Sequence, residues 1–469
     1  MNIKNIFLFF ILIKEILNYI VIPFKIHHST IKKDNDSDYN STDFILNYYK
    51  NKIYFPIEIG SPKKEVPFIL ITSSSGLNIG YSLCSRFGFS DLPNNYYEYS
   101  VENSTTYNLT SKNIKSISNT ITGFQSTELF KLYTDLKKSE ANHITIKDLP
   151  FIYTSKEDAN KYYDDGTICG LMGLALYEEN TFRETYNIIN VIKKKNITNN
   201  YYFSYEYDEN NNDEGFLIIG EEPHIYNRNK YNEEQLKVDY AVGEHFDIVW
   251  GIMFNSIYFF DEDNNKTTIN DIKYARFVPE FNLIKGTLKY KAILEEKFFN
   301  YYINKSICRF EREPQTLYSV MSCDANSEFK VEKFPTLFFT QTKFNFTFEL
   351  DYNDLFIKKG NKYFFNIIFP QSYIEHFEMG KIFLKKYFFT YNTNKKTIGF
   401  YNKNIQIDNN YEKYEKEEKT YLKYLIIIGI IVIIVFCLIG FCLGKKICEK
   451  TRNIRKNELD EEYNYSLNK

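Results

Sequence analysis

The sequence predicts an all-β body. Three observations carry that reading. Short apolar runs of strand length recur along the chain: 54–60 (YFPIEIG), 68–71 (FILI), 215–220 (GFLIIG), 257–260 (IYFF), 335–339 (PTLFF), 365–370 (FNIIFP) and 395–401 (KKTIGFY). Between them lie clusters of Gly, Asn, Asp and Pro, which are turn formers. Helical patterning is confined to a few stretches, among them 178–195 and 292–302. No repeat of solenoid or propeller period is present.

The elements follow in order. Residues 6–13 (IFLFFILI) form an apolar run after Lys4, the length of a signal-peptide core and too short to span a bilayer. A second apolar stretch follows Lys14 and Glu15, so 1–24 reads either as a signal peptide or as an uncleaved signal anchor. Residues 25–45 are polar and read as a linker or a short pro-like segment. The β body comes next, and 402–420 reads as a polar stalk. A charge-free run at 425–443, inside a predicted transmembrane helix 421–444, is long enough to span a bilayer. Lys445, Lys446, Lys450, Arg452, Arg455 and Lys456 follow it, and such an excess of positive charge marks the cytoplasmic side. The expectation is a single-pass type I membrane protein of the secretory pathway. Its body is lumenal or extracellular, and its tail at 445–469 cytoplasmic.

Composition narrows the function classes. The net charge of -2 carries no basic half, which argues against nucleic acid as a partner. The six His residues do not cluster with Cys or acids at metal-ligand spacing, and no phosphate-binding loop or HExxH motif occurs. No cofactor and no metal are expected. In an oxidising lumen Cys308 and Cys323, close in sequence, are expected to pair. Cys84 and Cys169 are either free or paired across the fold. Sequons at Asn35, Asn40, Asn103, Asn108, Asn196, Asn265, Asn304 and Asn345 fit a secretory chain.

Six segments, in order, carry a resemblance to a known family. The first is 54–79, with Gly60-Ser61-Pro62 as a turn and Thr72, Ser74, Ser75 and Leu77 in a loop. The second is 165–174 (DGTICGLMGL). The third is Phe203-Ser204 followed by 215–220. The fourth is Trp250 in DIVWGIMFNSIYF. The fifth is the Cys308/Cys323 region with Phe334-Pro335-Thr336-Leu337 after it. The sixth is 379–400 (MGKIFLKKYFFTYNTNKKTIGF). Together they resemble the pepsin-like aspartic proteases over residues 50–401. The resemblance implies two β-rich lobes, 46–230 and 231–401, with a deep central cleft.

It also implies a specific chemistry. Family members hold two aspartates across the cleft that share one proton, because two such close charges cannot both ionise. Ile71 stands at the first Asp position and Val278 at the second, in the segment VPEFNLI. Neither side chain can transfer a proton. Pro279 replaces a small hydroxyl residue, while Ser73 and Glu280 replace glycines that let substrate backbone approach. Glu280 reads as a solvated or salt-bridged loop acid. At the flap, Ser116 falls at the tyrosine position and Ile117 and Asn119 at the glycine positions; Asn78 stands where the loop's Trp usually sits. An Ile71/Val278 pair is expected to pack dry across the lobe interface.

The function expected is therefore that of a non-catalytic, aspartic-protease-like membrane protein that takes a peptide or protein ligand in the cleft. An active membrane-bound aspartic endopeptidase is the alternative, and a structural surface glycoprotein with a filled cleft is a third reading. Fold alone does not choose among them.

Overall fold

A computed structural model describes most of residues 19–405 and a few residues between 447 and 455. The larger segments outside the description are 1–18, 28–39, 84–98, 134–142, 156–167, 177–185, 270–273 and 406–446; shorter ones include 73–74 and 119–120. Residues Met1–Ile405 form one compact unit and Gln406–Lys469 a second.

The first unit is mostly β-sheet. Among the described residues, thirteen strands form one sheet. Within it lies a hairpin, Lys52–Ile59 with Lys64–Ile71, whose second strand is buried along Val66–Leu70. Gly60 turns the chain at φ +80, and a Cβ there would lie 3.0 Å from Ser104 Oγ and from the Tyr99 ring. Only glycine meets both demands. Nine further strands form a second sheet, and four more a third, drawn from residues 251–379.

The division between sheets does not follow the expected lobe boundary at 230/231. Strand Leu236–Tyr240 and the hairpin Phe389–Asn392/Thr397–Tyr401 belong to the first sheet, next to Tyr202–Tyr207. The chain thus returns from the second half to lace the two halves together by backbone hydrogen bonds.

The N-terminal reading is corrected in part. Ile20–His27 is a strand whose residues 20–26 are almost entirely buried, paired to Glu214–Ile219 and to Lys52–Ile59. It overlaps both the targeting segment and the linker assigned from sequence. The short, β-branched-rich apolar run IVIPF is the strand signal, and the same apolar composition reads as part of a leader. Ser41–Lys50, at the end of that linker, is a helix.

Of the two expected helical stretches, Ile188–Lys194 is helical in the first, capped by Asn187. The second runs through Leu288–Leu294, a π turn at Glu295–Phe299, and Asn300–Asn304. Cys308 and Cys323 face each other across a hairpin and form the expected disulfide. Cys169 is also disulfide-bonded, while Cys84 lies outside the described residues. No helix among the described residues is long and apolar enough to cross a membrane; the predicted span at 421–444 lies outside them.

Candidate functional site

The two loops that carry Ile71 and Val278 are built alike. Strand Lys64–Ile71 runs parallel to Ile168–Leu174, with Ile71 opposite Gly173. The chain then turns and returns as Ser75–Tyr81 on the other side of that same strand. In the second half, Tyr274–Phe277 runs parallel to Phe377–Met379, and Ile284–Lys285 flanks its other side. Val278 follows immediately, its N–H donating to the carbonyl of Met379 at 3.0 Å. Continuing the register sets Val278 beside Gly380, as Ile71 sits beside Gly173. A Cβ on Gly380 would lie 2.2 Å from the Leu283 carbonyl and 2.5 Å from that of Phe281, so the loop closes directly over bare backbone.

Ile71 is half-buried and Val278 buried. What ties the two loops together is polar. Thr72 donates its N–H and its hydroxyl to Glu280 Oε1, at 3.0 and 2.6 Å. This corrects the reading of Glu280 as a solvated or salt-bridged loop acid. Glu280 Oε2 is buried without a partner. Burial pushes the carboxyl above its ordinary range, opposed by the two bonds from Thr72 and by the Arg276 charge. The tyrosines Tyr205, Tyr207 and Tyr391 lie within reach of its charge, and their hydroxyls are pushed up, first by burial and then by their charged neighbours. A glycine at position 280 could make none of these contacts.

The consequence for pH is definite. A raised folded pKa means that the native state binds this proton more tightly than the unfolded chain does. The stabilisation is complete below the ordinary value of 4.5 and is lost as pH rises through the folded value. Glu280→Gln is expected to flatten this descent, measured as urea midpoints across pH 4 to 8. An unchanged slope in the variant would contradict the assignment.

Around the loops, Trp250 joins the halves. It is 2% exposed, and its Nε1–H donates to the carbonyl of Leu174, at the end of the strand that Ile71 pairs with, at 2.6 Å. Its ring lies 5.5 Å from Phe203 and 5.1 Å from Tyr391, edge-on to both. Below the second loop Lys285 pairs with Glu378 at 2.7 Å, and its ammonium sits 3.9 Å from the Phe281 ring centroid.

The expected flap is a hairpin, Asn108–Ser118 with Ile121–Tyr133. Ser116 lies near its tip, opposite Thr122. The base of the hairpin is anchored by a fully buried Glu128, which accepts from the Tyr99 hydroxyl at 2.8 Å, from Leu129 N at 2.8 Å and from the Thr106 hydroxyl. Asn78 is 1% exposed, in strand Ser75–Tyr81, and both polar atoms of its side chain lack a partner. An orphaned buried amide is costly, so Asn78→Leu is expected to raise stability by about 1–2 kcal/mol, read from the thermal midpoint. A lower midpoint would show that the amide is satisfied in solution.

Among the described residues no group of three or more His, Cys, Asp or Glu could hold a metal ion. The loops offer one carboxylate, Glu280, already committed to Thr72, beside the aliphatic side chains of Ile71 and Val278, whereas acid–base chemistry of this kind needs a pair of acids that share a proton.

Two equivalent strand–loop–strand units, one in each half and tied at Thr72 and Glu280, define a protein of the aspartic-protease class of folds. The sequence model of the eukaryotic aspartyl protease family matches residues 52–403, and the chain belongs to that family. In fold it is similar to basic 7S globulin from soybean, with a TM-score of 0.53 at 12% identity, covering 83% of this chain and 98% of that one. It is likewise similar to conglutin gamma, a basic 7S globulin from lupine seeds, with a TM-score of 0.55 at 12% identity, over 82% and 95% of the two chains. Identity that low speaks for the fold alone. No curated protein matches the chain in sequence.

Proposed function

We propose that this protein is a non-catalytic member of the aspartyl protease family that binds an extended peptide or protein segment in its cleft. The observation that carries the reading is the pair of equivalent positions held by Ile71 and Val278. Peptide hydrolysis by this family's route needs one carboxylate to take a proton from water and another to donate one to the substrate carbonyl. An isoleucine and a valine can do neither. The family match supports the reading only at the level of the fold, because a fold can outlive its chemistry.

Membrane attachment belongs to the same proposal. The span at 421–444, followed by its basic cluster, would hold the folded unit on the lumenal or outer face. Without turnover, residence time on the ligand becomes the functional quantity.

The competing reading is an active endopeptidase, and Glu280 is the feature that favours it. It is a buried carboxyl with a raised pKa beside the second loop, which is a pattern found at active sites. It is nonetheless one acid rather than two, and its Oε1 is occupied by Thr72.

The test passes a diverse peptide library over immobilised protein at neutral pH. A subset of peptides retained and eluted intact is the expected result. Retention of no peptide would overturn the binding half of the proposal.

A further inference from the structure

Among the described residues, strand Leu236–Tyr240 ends the order of the thirteen-stranded sheet and pairs on one side only, with Thr397–Tyr401. The bonds that flank it fix which backbone groups are used. Asn402 N donates to Gln235 O, and Ala241 N donates to Lys396 O. In an antiparallel ladder the bonded residues alternate, so positions 235, 237, 239 and 241 face the neighbouring strand. The N–H and C=O groups of Leu236, Val238 and Tyr240 therefore face the open edge. Tyr240 N is met there by its neighbour's side chain, Asp239 Oδ1, at 2.7 Å.

The side chains on this edge are unusual for one that solvent covers. Val238 is 48% exposed and Tyr240 69% exposed. Soluble proteins ordinarily blunt an edge with charge, proline or a bulge, because a flat apolar edge recruits another strand.

The order of the five residues, Leu-Lys-Val-Asp-Tyr, is complementary to itself. Reversed and centred on Val238, it sets Leu236 opposite Tyr240, Lys237 opposite Asp239, and Val238 opposite itself. Apolar meets apolar and cation meets anion at every position, which is the pattern that stabilises cross-strand pairs. Asp239 already holds Lys343 at 2.6 Å and Gln341 at 2.9 Å, and Lys237 donates to Glu234 O at 3.2 Å. A facing lysine would thus join an existing network around Asp239.

We propose that strand Leu236–Tyr240 is a dimerisation edge, on which a second copy of this chain pairs antiparallel about a two-fold axis at Val238. The two Val238 residues exchange reciprocal N–H···O=C bonds, and the sheet continues across the dimer. A two-fold contact of this kind uses one patch on both subunits and closes on itself, so the assembly stops at two. Nothing here depends on whether the cleft binds or cleaves.

The experiment uses the full chain in mild detergent at micromolar concentration, with mass measured by light scattering. Val238→Pro removes only the open-edge N–H and leaves pairing with Thr397–Tyr401 intact, so its thermal midpoint should match that of the parent at a dilution where both are monomeric. Its dimer dissociation constant is expected to rise by about a hundredfold, as two reciprocal bonds are lost. Val238→Cys, with Cys437, Cys442 and Cys448 replaced by serine, should form a disulfide-linked dimer without reductant. Directly paired residues lie about 5.5 Å apart, within disulfide reach. Lys237→Cys in the same background should form none, because its own copy is not opposite. A monomeric parent would overturn the proposal. So would a dimer that Val238→Pro leaves unchanged, or an edge that captures only foreign strands.

Discussion

Replacing Lys285 by methionine is expected to destabilise the protein by about 3–5 kcal/mol, because it strands a buried carboxylate. Lys285 and Glu378 are 10% and 15% exposed, with 2.7 Å between Nζ and Oε2. Burial works against charge on both groups. For Glu378 the bond from His376 and the charges of Lys285 and Arg276 overcome it and hold the carboxyl at about 2. For Lys285 burial is the largest single influence and lowers the ammonium, but the charges and hydrogen bonds of Glu378 and Tyr318 together outweigh it and raise the group above its ordinary value. Methionine keeps the packing against Phe281 and removes the charge. The sign follows from the depressed value: stability from Glu378 is present above 4.5 and lost as pH falls toward 2. The defect should therefore be largest near neutral pH and shrink on acidification, in urea titrations of parent and variant. A second change, Glu378→Leu, should recover much of the loss, since a buried pair replaced by apolar residues is often neutral. An equal loss at all pH values would mean that shape rather than charge is at stake.

Trp250→Ala should cost a similar amount, about 3–5 kcal/mol from the cavity alone. The indole also donates the 2.6 Å bond to Leu174, so truncation leaves a buried carbonyl without its donor. Trp250→Phe separates the two effects. It keeps an aromatic ring between Phe203 and Tyr391 and removes only the N–H, for an expected loss of about 1–3 kcal/mol. Trp250 is the single tryptophan of the chain, so the parent's emission reports this one position during unfolding. A loss under about 1 kcal/mol for the alanine variant would show that the join between halves lies elsewhere.

Much of this fold was readable from sequence, and the reason is local. Strands such as 54–60 and 397–401 announce themselves as short apolar runs between turn residues, and both are strands. The frame that set Ile71 came from the Gly60-Ser61-Pro62 turn and from Thr72, Ser74, Ser75 and Leu77, and the frame that set Val278 came from the segment VPEFNLI, all of them short local motifs. What escaped was non-local. Thr72 and Glu280 are 208 residues apart, and no local pattern marks a glutamate that turns inward to meet a threonine in the other half. The pairing of Lys285 with Glu378 is hidden for the same reason. Strand Ile20–His27 was missed because an apolar strand and the end of a leader share a composition. Leu236–Tyr240 joins the first sheet through a partner strand some 160 residues later in the chain, a topological fact that alternation cannot carry.

On the proposed reading, more than two aspartates separates this site from a working dyad. In the second loop a polar tie from Glu280 to Thr72 occupies ground that a bare glycine would leave open to substrate. Placing aspartates at 71 and 278 alone would leave that tie in place.

The most direct test of the central claim is cleavage of a diverse peptide library by the purified protein between pH 4 and 7, with and without a pepstatin-like inhibitor. The account predicts no cleavage that the inhibitor blocks, at any pH in that range. Inhibitor-sensitive cleavage would contradict it, and would place a working carboxylate pair at residues other than Ile71 and Val278.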